Sequence, residues 1–264
     1  MDVPAASKSP IVPLAVHCVT VTAGSRLLVR ELSLELAAGE FLAVLGRNGS
    51  GKTLTLHTLA GLRPPAAGEV LLDTVGLASL SRRQIACRIG VLTQDTDAGL
   101  ATTVLESVLI SRHPHLKLLQ REGAADRGIA RASLASVGLA ELEGRNLDSL
   151  SGGEQRRVAI AALLAQDPQV FLLDEPTNHL DPQHQLAVLG RFRALADAGR
   201  TVMATLHDPT LAARFADRAL LLYGDGRYRL GPAADVLSAQ SLGELYQSAM
   251  LELHAGGRRI FVGA

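Results

Sequence analysis

Two stretches near the start of the chain, 14–21 and 32–36, alternate apolar and polar residues, the period of strands with one face in water. The next apolar run is of another kind. Phe41-Leu42-Ala43-Val44-Leu45 has no polar interruption, as a strand covered on both faces requires, and Ala37-Ala38-Gly39-Glu40 turns the chain into it. Residues 54–62 suit a helix, which Arg63-Pro64-Pro65-Ala66-Ala67-Gly68 breaks. A short strand at 69–72, a short helix at 81–88 and a strand at 89–92 follow, the last ending at Thr93-Gln94.

From 103 to 147 the period changes. Helical spacing at 104–111 and 125–137 is separated by turn residues, and no strand is predicted before the loop at Gly144-Arg145. One more helix, 151–166, stops at Asp167-Pro168. Strand, helix and strand return at 170–173, 185–198 and 201–206, with a further strand at 219–223 and a helix at 236–250. The pattern describes an α/β core interrupted by a helical insertion of roughly 70 residues, near the small end of domain sizes. No internal repeat is present.

Between the buried strand and the first helix stands Gly46-Arg47-Asn48-Gly49-Ser50-Gly51-Lys52-Thr53, with the spacing G-x-x-x-x-G-K-[ST]. The glycines let successive backbone N–H groups turn inward around phosphate oxygens, at a helix N-terminus that already favours anions. Lys52 suits the outer phosphates as a point charge, and the Thr53 hydroxyl suits Mg²⁺. A glycine-rich tight turn accounts for the loop alone. It does not account for lysine, hydroxyl and flanking elements together, so the expectation is a bound nucleoside triphosphate.

The run 170–173 ends in Asp174 and Glu175. A parallel strand delivers its C-terminal residues to the crevice beside the phosphate loop. There Asp174 suits Mg²⁺, directly or through water, and Glu175 suits a general base acting on water. Solvated acids at a strand end are common, and the pairing with a phosphate loop is what gives these weight. Leu150-Ser151-Gly152-Gly153-Glu154-Gln155 carries the capping-box pattern S-x-x-E. A cap does not explain two adjacent glycines, which let a helix N-terminus approach something closely. With Ser151 beside it, this makes a second phosphate site. One nucleotide does not need two such sites in one chain, which points to a dimer sharing nucleotides across its interface.

Charge and composition narrow the picture. Lys plus Arg and Asp plus Glu are 26 each, so the net charge is zero, without the basic excess or stripe of a nucleic-acid binder. Hydrophobic residues make up 47%, yet no apolar run approaches the ~18 residues of a membrane helix. That fraction suggests a surface covered by a partner. Cys18 and Cys87 have neither metal spacing nor a disulfide framework and read as small buried side chains. Residues 1–13 lack the charged start and apolar core of a signal peptide and read as a loose tail on a cytosolic protein.

Together these motifs resemble those of the ATP-binding cassette (ABC) ATPases, over nearly the whole chain, from about Leu14 to Tyr246. Residues 46–53 resemble the Walker A loop, 170–175 Walker B, and 150–155 the LSGGQ signature with glutamate in the fifth place. Gln94 stands where the Q-loop glutamine would, Asn178-His179-Leu180-Asp181 resembles the D-loop, and His207 falls at the switch histidine. The resemblance implies a P-loop NTPase (RecA-like) α/β core with an antiparallel β subdomain and an inserted α-helical subdomain at about 95–165. The cassette would span 14–250, with a C-terminal extension at 251–264. It implies a head-to-tail homodimer, each ATP lying between Gly46, Arg47, Asn48, Gly49, Ser50, Gly51, Lys52 and Thr53 of one chain and Ser151, Gly152, Gly153 and Glu154 of the other. Thr53, Gln94 and Asp174 would hold Mg²⁺. Glu175 would activate water, with Gln94 and His207 as further catalytic residues, and Asn178 and Asp181 would link the two sites.

Two positions depart from the family pattern. Leu54 replaces the hydroxyl residue usual after the Walker A Ser/Thr, which loosens the grip on the α-phosphate. The segment Val21-Thr22-Ala23-Gly24-Ser25 lacks the aromatic residue that the family stacks on adenine; Ala23 aligns with it, and Arg26 is a substitute.

Within the family, Ala101-Thr102-Thr103-Val104-Leu105-Glu106-Ser107-Val108, Ser111-Arg112-His113-Pro114-His115 and Leu206-His207-Asp208 resemble the ATPases of importers for iron–siderophore complexes, haem and vitamin B12. That implies transmembrane permease subunits as partners, a substrate-binding protein indirectly, and no nucleic acid. It implies a cytoplasmic protein, peripheral on the inner face of the cell membrane, with a membrane-subunit helix seated around 95–104. His113 and His115 flank a proline and are assigned no metal. The alternative is a non-transport ABC ATPase acting on DNA or ribosomes. Against it, residues 54–149 show no sustained heptads, and one cassette is present where translation-type members carry two. A small GTPase is a third reading, since Asn178 to Asp181 echoes N-K-x-D, but the histidine and the position directly after Walker B argue against it.

Overall fold

The computed structural model describes residues 13–94, 103–117 and 120–264. β1 (Leu14–Ala23) and β2 (Arg26–Leu36) pair antiparallel across a two-residue turn in which Gly24 takes φ 58°. β3 (Phe41–Gly46) is buried along its whole length and feeds α1 (Lys52–Leu59). β4 (Ala67–Leu72), β5 (Val75–Gly76), α2 (Arg82–Ala86) and β6 (Ile89–Leu92) follow. Next come α3 (Val104–Ile110), α4 (Ala124–Ser136) and α5 (Gly152–Gln166). β7 (Val170–Leu173), α6 (Pro182–Asp197), β8 (Thr201–Thr205), α7 (Pro209–Phe215) and β9 (Arg218–Leu222) complete the core. The chain closes with β10 (Tyr228–Pro232), α8 (Ala233–Val236), α9 (Ala239–Tyr246), β11 (Met250–Ala255) and β12 (Arg258–Gly263).

The antiparallel sheet has the order β2-β1-β4-β5, and the larger sheet the order β10-β9-β3-β8-β7-β6. In the larger sheet β9, β3, β8, β7 and β6 run parallel, with β10 antiparallel at the edge. Phe41, Ala43 and Leu45 of β3 face one core, shared with Phe171, Leu173 and Phe192. Leu42 and Val44 face a second, shared with Leu14, Val16, Leu32 and Leu36 of the antiparallel sheet. An unbroken apolar run is what a strand with a core on each side requires. Val104, Val108, Leu134, Val158, Ala161 and Ala165 build a third core among the helices. α5 serves two cores, because its Ile160 and Leu163 pack into the first. The α/β core, the antiparallel sheet and the helical subdomain expected from the sequence are all present.

The parallel strands carry their C-terminal ends to one edge. β3 ends there in the phosphate loop, β7 in Asp174 and Glu175, β6 in Thr93 and Gln94, and β8 in Leu206 and His207. β8 alone separates β3 from β7, so the two carboxylates lie one strand away from the loop.

Several readings need correction. The helix expected at 236–250 is broken: α8 ends at Val236, Ser238 caps α9 by accepting from the Ser241 N–H, and Gln247 ends it at φ 56°. Met250 already belongs to β11. β10 and the β11–β12 hairpin have no counterpart in the sequence reading, because they bury little and carry weak alternation. Cys18 is exposed rather than buried, at φ 50° where the register of β1 shifts between Val16 and Val19. Residues 95–102, most of the expected seat for a membrane-subunit helix, lie outside the described residues, as does the tail through residue 12. Val104, at the end of that seat, is wholly buried and packs the helical core. Among the described residues no helix is long and apolar enough to cross a membrane.

Candidate functional site

The phosphate loop is shaped by what glycine permits. A Cβ on Gly46 would lie 2.3 Å from Ser50 Oγ and 2.7 Å from the Leu222 carbonyl oxygen, so the loop can fold over its own strand only without one. Gly51, at φ 99°, stands at the N-cap of α1, where no side chain caps the helix and no acid occupies the first turn. The first-turn N–H groups and the positive end of the dipole are thus left to an anion. Lys52 is buried, and its Nζ folds back to donate to the carbonyls of Gly46 at 2.8 Å and Arg47 at 3.4 Å. Burial pushes its pKa below the usual ammonium range, while Glu175 and Asp174 pull it upward.

Thr205, the last residue of β8, organises the carboxylates. Its hydroxyl donates to Asp174 Oδ1 at 2.6 Å and accepts the Glu175 N–H at 2.8 Å. Asp174 is fully buried, and its Oδ2 has no hydrogen-bond partner among the described residues, nor has the buried Oγ of Ser50. Glu175 takes a left-handed backbone, φ 47°, which a residue with a side chain adopts at a cost and which recurs at functional sites. Its Oε1 lies 2.5 Å from His207 Nε2, and its Oε2 accepts from the Asn178 amide.

Lys52, Thr53, Gln94, Glu175 and His207 line one cleft of about 510 Å³, together with Asn48, Gly49, Gly51 and Leu54 of the loop and Ala23, Arg26 and Leu28 of the β1–β2 hairpin. Asp174 and Ser50 lie buried behind this lining, and Arg47 contributes a carbonyl to Lys52. The residues Ser151 to Glu154 are not part of this lining. Ser151 caps α5 in a complete capping box with Glu154, and Ser151 and Gly152 are exposed, with open space where a Gly152 side chain would stand. Gly153 backs onto the segment 178–181, since a Cβ there would lie 3.3 Å from the His179 carbonyl oxygen. Asp181 caps α6 by accepting the His184 N–H at 2.9 Å. His113 and His115 are each engaged, with Glu122 and with the Gln166 carbonyl, both at 2.7 Å.

Two functional neighbours have no counterpart in the sequence reading. One is Thr205. The other is Arg156, a buried cation on α5 whose guanidinium donates to the backbone carbonyls of Asp174 at 2.5 Å, Glu175 at 2.7 Å, and Thr93. Burial lowers its pKa, against the pull of Asp174 and Glu175. The available signal was its spacing: Arg156 shares a helix face with Ile160 and Leu163, both core residues, and a charge on that stripe needs buried partners. Through it α5 grips the ends of β7 and β6.

Residues 29–178 match the family described as ABC transporter. The hemin import ATP-binding protein HmuV of Gloeobacter violaceus is 42% identical over 224 residues, which cover 82% of this chain and 80% of that protein. An inward-facing transporter structure described as metal-chelate type superposes with a TM-score of 0.83 at 28% identity, covering 96% of this chain and 97% of the other. The dimeric structure of a bacterial ABC transporter cassette superposes with a TM-score of 0.74 at 28% identity, covering 83% of this chain and 98% of the other. Fold, phosphate loop and these matches agree, and the chain belongs to the ABC transporter family, as an ATP-binding cassette that hydrolyses ATP.

Proposed function

We propose that this chain is the ATPase subunit of an importer for a metal chelate, haem foremost, working as a homodimer on transmembrane permease subunits at the inner face of the cell membrane. A substrate-binding protein would deliver the cargo from the far side. What supports this reading above all is one sheet edge carrying the uncapped loop helix, buried Lys52 and the Glu175–His207 pair together. The likeness to a hemin import protein and to a metal-chelate type transporter supports the cargo class, and the dimeric cassette supports the homodimer.

In this reading the loop N–H groups and α1 receive the phosphates, and Lys52 exchanges its carbonyl partners for phosphate oxygens. The unpartnered Oδ2 of Asp174, the Thr53 hydroxyl and the Gln94 side chain are hard oxygen donors that fit Mg²⁺ and would hold it. When bound, the ion neutralises charge on the phosphates. Both oxygens of Glu175 are engaged, by His207 and Asn178. His207 must leave Glu175 to reach the γ-phosphate, which frees Oε1 to take a proton from the attacking water. Ser151, Gly152, Gly153 and Glu154 of a second copy, at an open helix N-terminus, would close the nucleotide from the other side. Asn178 and Asp181, in the loop against which Gly153 packs, would carry the state of one site to the other. The cassette proper is 14–250 with its helical insertion at about 95–165, and 251–264 is an extension.

Reconstitution with its permease subunits and substrate-binding protein in liposomes tests this reading. ATP-driven uptake of haem, with ferric siderophores and cobalamin as competitors, is the expected outcome. ATPase activity stimulated by DNA or ribosomes, without uptake of any chelate, would sink it.

A further inference from the structure

We propose that Arg26 is the platform on which this chain stacks the nucleotide base. The inference rests on the reading of the cleft as a nucleotide site. Lys52, Glu175 and His207, with the loop residues beside them, mark its phosphate end, so a base joined through ribose lies towards the part of the lining that the β1–β2 hairpin supplies, Ala23, Arg26 and Leu28. None of these is aromatic. Ala23 and Arg26 are direct partners across the two-residue turn of the β1–β2 hairpin, so their side chains stand on the same face. The Ala23 methyl therefore leaves the space beside it to the arginine.

The guanidinium is tethered. One of its N–H groups donates to the Gly224 carbonyl at 3.2 Å. Gly224 in turn presses on the phosphate loop, where a Cβ, at φ +78°, would lie 2.9 Å from Ser50 Cα. One backbone group thus holds the guanidinium in register with the loop that takes the phosphates. Leu28 is buried and packs on the same loop, since a Cβ on Gly51 would lie 3.0 Å from Leu28 Cβ. A planar, weakly hydrated cation with one edge tied down and an apolar neighbour can lie flat on a purine face, where a compact, strongly hydrated ammonium offers only a point charge. Stacking engages the ring face, which adenine and guanine share, so Arg26 serves both bases.

Calorimetric titration of the full chain with ATP, GTP and inorganic tripolyphosphate tests the proposal in wild type, Arg26→Ala, Arg26→Lys, Arg26→Tyr and Lys52→Ala. Arg26→Ala is expected to weaken ATP and GTP about five- to tenfold, within the range of a cation–π contact, and to leave tripolyphosphate unchanged. Arg26→Tyr, which keeps a planar face and drops the charge, retains ATP affinity, while Arg26→Lys loses it. Equal weakening of ATP and tripolyphosphate by Arg26→Ala would assign Arg26 to the phosphates and overturn the proposal. Unchanged ATP affinity, or rescue by lysine and not by tyrosine, would overturn it too. Lys52→Ala keeps the two readings apart: if it leaves tripolyphosphate binding intact, the phosphate-loop reading fails on its own account.

Discussion

His207 Nε2 lies 2.5 Å from Glu175 Oε1, although the two residues leave different strands, β8 and β7, and stand 32 positions apart. Thr205 makes the meeting possible, because its hydroxyl fixes the Glu175 N–H and Asp174 Oδ1 while the same strand end goes on to His207. In the proposed role of Glu175 as general base, the attacking water competes with His207 for the lone pairs of Oε1, and departure of the histidine leaves that oxygen to the water.

Glu175→Gln should bind ATP and turn over about 10²–10⁴-fold more slowly, the usual cost of losing a general base. The nucleotide then stays intact, and the dimer it bridges persists. Gel filtration in Mg-ATP should give a dimer for the variant and a monomer without nucleotide. Turnover within a few-fold of wild type would remove Glu175 from the chemistry.

How much of this was legible beforehand depends on whether a residue's role is local. The phosphate loop was readable because its spacing, the buried run 41–45 and the following helix are contiguous. The strand end at Asp174 was readable because parallel strands deliver their ends to one crevice. Thr205 and Arg156 were not, since each acts through partners 18 to 63 positions away that only the sheet order brings near. The weak C-terminal strands escaped for another reason. β11 buries no residue fully and β12 only Phe261, so neither needs the apolar alternation by which a strand is recognised.

Arg156 gives the second prediction. Its guanidinium satisfies the buried carbonyls of Asp174 and Glu175 after β7, so Arg156→Met removes their charged donor and should cost about 1.5–3 kcal/mol, the range of a hydrogen bond to a charged group. Thermal unfolding measures that loss. ATPase activity at a temperature where the variant is fully folded should also fall, because the backbone of Glu175 loses its anchor to α5. A variant with wild-type melting and wild-type turnover would contradict both parts.

Tyr246 supplies a pH dependence. Its hydroxyl donates to the His207 carbonyl at 3.3 Å, and burial, with Asp208 nearby, pushes its pKa up to about 12 from the ordinary 10.0. The folded chain therefore keeps this proton longer than the unfolded chain. The corresponding stability is fully present below pH 10 and is lost as pH rises through about 12. Denaturant melts across that window should show wild type losing stability more steeply than Tyr246→Phe. Burial raises the Tyr223 pKa as well, so the comparison between the two proteins carries the result. Parallel curves would mean that Tyr246 is solvated in the folded chain.

Gly224 joins the strain of the fold to the grip on phosphate. At φ +78° any L-residue is strained there, by about 1–2 kcal/mol. Strain alone would only lower the melting temperature. The added Cβ, however, would also lie 2.9 Å from Ser50 Cα, a backbone atom of the phosphate loop that cannot swing aside as a side chain does. Either the turn after β9 or the loop must shift, and the loop is uncapped at α1 and so the softer of the two. Gly224→Ala should therefore weaken tripolyphosphate as well as ATP, by about tenfold for each 1.4 kcal/mol of displaced loop geometry. Gly199→Ala is the control, because Gly199 takes φ +93° with nothing within 4 Å of the Cβ position. It should lose comparable thermal stability and bind tripolyphosphate as wild type does. If Gly224→Ala binds tripolyphosphate normally while ATP alone weakens, the turn has moved and carried Arg26 with it, and the phosphate loop is the stiffer element.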